Sequence, residues 1–163
     1  MLAQTSVQFR PPVQNPVCEL TEVRQSTVAG LGLFAKDFIP KGTVWWAAHP
    51  GDVMFVDQAQ WATLSASIQS PAIQPFVHAI VMYSYYVQQF DSLVLCLDNA
   101  RFVNHSFTPN SGSTSDKNPL VAVALRDIER GEEIFEDYTK YDQCPWAWLY
   151  EDFMERKDPP TCA

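Results

Sequence analysis

The chain has 163 residues, nearly half of them apolar and 13% aromatic, which suits one folded domain with its own core and not a disordered segment. No apolar run reaches the roughly eighteen residues of a spanning helix, and Met1-Leu2-Ala3-Gln4 lacks the basic start and apolar stretch of a secretory signal. A net charge of −8 argues against nucleic acid as the direct substrate and suits either a lysine-rich protein partner or plain solubility.

Residues 1–16, with Pro11, Pro12 and Pro16, read as an extended arm. Val17 to Val23 alternates weakly and reads as a first strand, followed by a small-residue turn over 26–32 and an apolar strand at Leu33-Phe34-Ala35. Ile39-Pro40-Lys41-Gly42 is a tight turn before the strand Thr43-Val44-Trp45-Trp46. A helical insert over about 57–90 opens at Asp57, an N-cap with Gln60 three positions on; Trp61, Leu64 and Ile68 then share a face. Pro71 and Pro75 interrupt it, and Phe76 to Phe90 reads as a second helix running into a strand. Leu93 to Leu97 and Leu120 to Leu125 are strands, residues 99–118 are mostly loop, and Glu133-Ile134-Phe135 is a last short strand. Pro145 followed by Trp146, Leu149, Tyr150 and Phe153 at helical spacing predicts a C-terminal helix within 142–163. Short strands with one helical insert define a mainly β domain with no internal repeat.

The four cysteines, Cys18, Cys96, Cys144 and Cys162, make no CxxC pair. Neither a zinc site nor a disulfide scaffold is expected, and a reduced intracellular setting, cytoplasmic or nuclear, is the default.

Three segments carry candidate chemistry. Gly30-Leu31-Gly32 supplies two permissive backbone positions, for a ligand loop or for an ordinary β-turn; without a third glycine and a following helix it is no dinucleotide loop. Asn104-His105, within Arg101 to Asn110, offers a carboxamide, an imidazole and consecutive backbone donors, able to hold the polar edges of a purine and an amino acid. The same pair also suits a hydrogen-bonded core histidine beside a turn. Tyr138, after the last strand, is either a packing residue or, if a pocket surrounds it, a reactive hydroxyl.

In this order the segments resemble the SET-domain family of protein lysine methyltransferases. Gly30-Leu31-Gly32 is similar to the family's first motif, Arg101 to Asn110 resembles its R-F-x-N-H-S-x-x-P-N stretch, and Glu133 to Tyr138 resembles its closing E-[IL]-x-x-D-Y motif. The resemblance spans about Glu19 to Tyr141. It implies a β-clip-like fold of short twisted sheets around a pseudoknot, with residues 17–141 as the SET domain and 142–163 packed upon it. It also implies an enzyme that transfers methyl from S-adenosylmethionine to the ε-amine of a lysine in a protein, such as a histone or another basic protein, with no metal. Carried over by position, Gly30, Leu31, Gly32 and Leu33 contact the cofactor through backbone, while Arg101, Asn104 and His105 hold its adenine and amino-acid ends. Tyr138 is then the catalytic tyrosine, and one or more of Tyr83, Tyr85 and Tyr86 lines the lysine channel. Where the family has a cysteine-rich module, this chain has the aromatic segment Trp146 to Tyr150, which either walls that channel, Trp146 included, or completes the core.

Three departures from the family pattern stand out. Phe107 replaces the usual cysteine, and no cysteine-rich module follows Tyr138. Glu136 stands where the family normally has an aromatic residue, so its carboxylate either pairs with the target ammonium or points outward. Two other readings compete: a SET-like binding module without catalysis, and a non-enzymatic β-clip domain, which would lack the Arg101 to Asn110 motif.

Overall fold

The computed structural model describes residues 14–114 and 117–147. The expected arm therefore lies almost wholly outside the described residues, as does the expected C-terminal helix beyond Ala147. The fold is mainly β, 32% strand against 25% helix, in small sheets.

The chain first departs from its expected course at Val17. Instead of a strand, Val17–Leu20 forms one helical turn, α1. The Pro16 carbonyl accepts from the N–H groups of Glu19 and Leu20, and Asn15 Oδ1 accepts from Val17 N–H. Val17 is buried, and the Thr21 hydroxyl donates to its carbonyl, closing the turn. β1 (Thr21–Gln25) then pairs antiparallel with β2 (Leu31–Ala35), Thr21 opposite Ala35 and Gln25 opposite Leu31. Gly30 makes the reversal with φ +46°, a left-handed conformation that side chains disfavour.

β3 (Val44–Ala47) lies beside β9 (Val121–Ala124), which also pairs with β8 (Ser111–Ser113). β4 (Val53–Val56) and β5 (Ser84–Val87) flank β6 (Ser92–Cys96). All five residues of β6 are buried, which explains its unbroken apolar run. No period-two pattern announces β4: Val53 and Val56 are buried while Met54 and Phe55 are exposed. The insert follows the predicted chemistry. α2 (Gln58–Ala66) begins in a capping box, with Asp57 Oδ1 accepting from Gln60 N–H at 2.8 Å and Gln60 Oε1 accepting from Asp57 N–H at 2.9 Å. α3 (Gln74–Tyr83) has Pro75 in its first turn and runs directly into β5. Trp61 and Leu64 of α2 pack with Ile80 of α3 over Leu93 and Leu95 of β6, a second core beside the main one around Leu33, Ile39, Trp45, Ile128 and Ile134. None of the described helices is long and apolar enough to cross a membrane.

The parts are tied together by the segment 133–142. Ile134 N–H donates to Leu33 O at 2.7 Å; β10 (Phe135–Glu136) pairs in parallel with β7 (Asn104–His105); Asp142 bridges to Tyr86. This crossing of the 104–110 stretch is the pseudoknot region of the fold. Asn110, fully buried, holds it: its Nδ2 donates to Glu133 O at 2.8 Å and to Glu132 Oε1 at 3.2 Å, and its Oδ1 accepts from Phe135 N–H at 2.8 Å. Replacing Asn110 by leucine strands a buried N–H and a buried C=O, each costing about 1–3 kcal/mol. The urea midpoint of Asn110→Leu should fall accordingly; a midpoint equal to the parent's would show that the crossing does not depend on this amide.

Candidate active site

Two groups of residues meet at the crossing. The first surrounds the Gly30 reversal. Asn104 Nδ2 lies within hydrogen-bond distance of Ala29 O (3.2 Å), Leu31 O (3.1 Å) and Glu133 Oε1 (2.8 Å), so its carboxamide fastens the loop to the β7 strand. Ser26 Oγ donates to Glu133 Oε2 at 3.0 Å and accepts from Val28 N–H at 2.9 Å. Glu133 is thus a buried carboxylate joining the loop to Asn104, a role that the motif comparison alone did not disclose. Its Oε1 occupies the space over Gly32, where an added Cβ would stand 2.1 Å away. The outer side of Gly30 is open: nothing lies within 4 Å of a Cβ built there. Leu31 is exposed, whereas the Leu33 side chain belongs wholly to the core.

His105 connects this group to Tyr138. Its Nδ1 accepts from Tyr138 N–H at 3.1 Å, which leaves the ring proton on Nε2 when the imidazole is neutral. Among the described residues that buried Nε2 has no hydrogen-bond partner. The His105 ring packs 5.3 Å from Tyr138 and 4.6 Å, edge on, from Phe107. Phe107 is 75% exposed.

The second group lines a cavity of about 570 Å³. Tyr85, Glu136, Tyr138, Tyr141, Trp45 and Trp46 are among the residues that line it. The Tyr141 ring stacks on Tyr138 at 5.4 Å and packs 5.5 Å from Tyr85. The Tyr138 hydroxyl donates to Val103 O, and the Tyr85 hydroxyl donates to Pro119 O at 2.6 Å. Glu136 receives Ser111 Oγ–H on Oε1 at 2.9 Å and the Tyr141 hydroxyl on Oε2. Ser111 in turn accepts from Trp45 Nε1–H at 2.8 Å. Ser111 and Tyr141 had no individual signal in the sequence; both are recruited by long-range packing.

The remaining predicted residues divide between these settings. Tyr83 and Tyr86 also line the cavity, though the Tyr86 hydroxyl turns to Asp91 at 2.7 Å, and that bond raises its pKa to about 12. Trp146 lies behind Tyr86, ring centroids 5.9 Å apart, with its Nε1–H on Asp91 Oδ1 at 3.1 Å; it packs on the second core and is not among the cavity-lining residues. Arg101 joins the cavity group, not the loop group: it stacks 4.6 Å over Phe102 and donates to Leu97 O at 2.7 Å.

Burial pushes the Tyr138 hydroxyl well above the usual tyrosine range, with the Glu136 carboxylate adding to the effect, so it is a neutral donor at physiological pH. Burial also raises the Glu136 carboxyl, although Tyr141 and Ser111 oppose the shift by bonding its charged form.

The SET domain family model matches residues 30–139, most of the chain and all three of the motifs that form these groups. The chain belongs to the SET domain family. Its members are in general protein-lysine methyltransferases that use S-adenosylmethionine. Among solved structures, a Plasmodium falciparum protein described as a "putative histone methyltransferase" is 18% identical and superposes with a TM-score of 0.48, over 72% of this chain and 91% of that one. No curated protein matches the sequence.

Two outcomes follow from the geometry. Gly32→Ala must displace the Glu133 carboxylate from Asn104, an overpacking cost of about 1–3 kcal/mol that a thermal melt will register; an unchanged melting temperature would mean that Glu133 swings aside freely. A carboxyl raised in the folded state contributes stability at acid pH that is lost as pH rises through its folded value. The stability of Glu136→Gln relative to the parent should therefore increase as pH rises above about 4, read from urea midpoints across the acid range.

Proposed function

We propose that this chain is a protein-lysine methyltransferase, moving a methyl group from S-adenosylmethionine to the ε-amine of a lysine, with Tyr138 as its catalytic residue. One observation carries the reading: Tyr138 belongs to both groups at once. Its backbone N–H is held by His105 beside the Gly30 loop, while its ring and hydroxyl line the aromatic cavity.

The loop group fits the cofactor. The buried Nε2–H of His105 is a donor awaiting an acceptor, and the open side of Gly30 lets a ligand reach the backbone. Gly30, Leu31, Gly32 and Leu33 would hold it through backbone, Asn104 by keeping their loop in place, and His105 through Nε2. Arg101, set on the cavity side, would serve the substrate end or the boundary between the two. S-adenosylmethionine supplies the electrophilic methyl group. Methyl transfer is an in-line displacement, so positioning dominates. Tyr85, Tyr138 and Tyr141 form an aromatic passage that strips water from a lysine, which favours its neutral, nucleophilic form. The Tyr138 hydroxyl and the Val103 carbonyl orient the amine. Residues 17–141 would be the catalytic unit, with 57–90 as its insert, 1–16 as an arm and 142–163 packed against it. The net charge of −8 favours a basic target, a histone tail or a similarly lysine-rich protein.

Incubation with radiolabelled S-adenosylmethionine and a panel of histones and ribosomal proteins tests this. Label should appear on lysine, and Tyr138→Phe should lower the rate by about a hundredfold while calorimetry shows the cofactor still bound. Cofactor binding without transfer to any protein would replace the enzyme by a binding module that keeps the fold, and absence of binding would overturn the assignment.

A further inference from the structure

Glu136 is an unexpected group for an aromatic cavity. Its carboxylate lies on the wall formed by Tyr85, Tyr138 and Tyr141, and it is fixed at both oxygens, by Ser111 and by Tyr141. The Ser111 side chain is buried and is itself fixed by the buried Trp45 indole at 2.8 Å, so the carboxylate cannot turn away without breaking a chain of three bonded side chains. No lysine or arginine is paired with it among the described residues. Two donors leave about half of a carboxylate's lone pairs free. Burial favours the neutral form of this carboxyl in the empty cavity, and a cation that offers N–H donors is the complement that would favour its ionised form.

Other charges face the same cavity. Asp142 and the cations Arg101, Lys117 and Lys140 also line it. Arg101 is committed to the Leu97 carbonyl and to the Phe102 ring, and the two lysines are exposed, where water screens them. Glu136, by contrast, is set among aromatic rings in a low-dielectric wall, where a charge acts most strongly on whatever enters.

We infer that Glu136 is the specificity-determining residue of the cavity, a fixed anion that accepts hydrogen bonds from a primary ammonium and thereby selects unmethylated lysine. This rests on the reading of the cavity as the lysine site and gives that site its preference: the ammonium is the form selected on entry, and its proton passes to the carboxylate or to water before the neutral amine attacks. Each methyl added to the nitrogen removes one N–H, and a trimethylammonium has none to offer, so it would leave the carboxylate desolvated and without a donor. An aromatic wall alone would accept the trimethylated cation readily through its ring faces. The carboxylate therefore reverses the preference that the tyrosines by themselves would set.

The Trp45 indole N–H reports on this site through Ser111, so its 15N–1H resonance in the full chain provides the readout. n-Butylammonium, n-butyltrimethylammonium and 1-butanol serve as probes. n-Butylammonium should bind saturably and about tenfold more tightly than either of the others, and Glu136→Gln should abolish that margin. Equal binding of the three probes by the parent, or n-butylammonium affinity in Glu136→Gln within twofold of the parent's, would overturn the inference. If Glu136→Gln does not fold, Glu136→Asp takes its place: the carboxylate withdraws by one methylene, and n-butylammonium should bind at least threefold more weakly while still outcompeting the trimethyl probe. Unchanged affinity there would equally overturn it. These titrations need no methyl transfer. Selective binding in a protein that transfers no methyl would leave this inference standing and remove the methyltransferase reading; transfer with charge-blind binding would do the reverse.

Discussion

The rest of the structure depends on how one short segment, 133–138, is held across the 103–110 stretch. The two strands at this crossing are only two residues long each, too short for a ladder to secure them. The buried Asn110 carboxamide supplies what the ladder lacks, by acting as donor to one peptide group of the crossing and acceptor from another. The small sheets share one apolar core, and this polar side chain within it fixes the register of the crossing.

Once the crossing is held, its side chains divide between the two groups. Glu136, at the end of β10, and Tyr138, opening a 3-10 turn, both line the aromatic cavity, while Asp137 between them accepts from the Thr139 backbone and hydroxyl. Glu133, three residues before Glu136, reaches the Gly30 loop instead. Tyr138 links the loop group to the cavity, by its backbone N–H on His105 and by its place in the cavity lining.

The same arrangement places two carboxylates where water is scarce. Glu133 is satisfied by Asn104 and Ser26, and its presence over Gly32 explains why that position carries no side chain. Glu136 accepts one hydrogen bond on each oxygen, from Ser111 and from Tyr141, while burial raises its carboxyl.

Sequence alone determined what depends on a few neighbouring residues. The Asp57–Gln60 box, the Gly30 reversal and the buried run of β6 were legible because caps, turns and apolar runs are encoded within one or two turns of chain, whereas Pro75, read as an interruption, opens α3. The three motifs, in order, sufficed to indicate the family and the β-rich class. Where only alternation was available, it misled: Val17 is buried by a helical turn, because Pro16 and Asn15 offer it better local hydrogen bonds than a partner strand does. Tertiary structure alone decided which groups meet. Ser26 and Glu133 are 107 residues apart in sequence, and Ser111 and Glu136 are 25 apart. It also set Arg101 on the cavity, Trp146 behind Tyr86 and Tyr141 against the Glu136 carboxylate. Those placements follow from how separate sheets pack around the crossing, a long-range constraint that leaves no periodic trace in the chain.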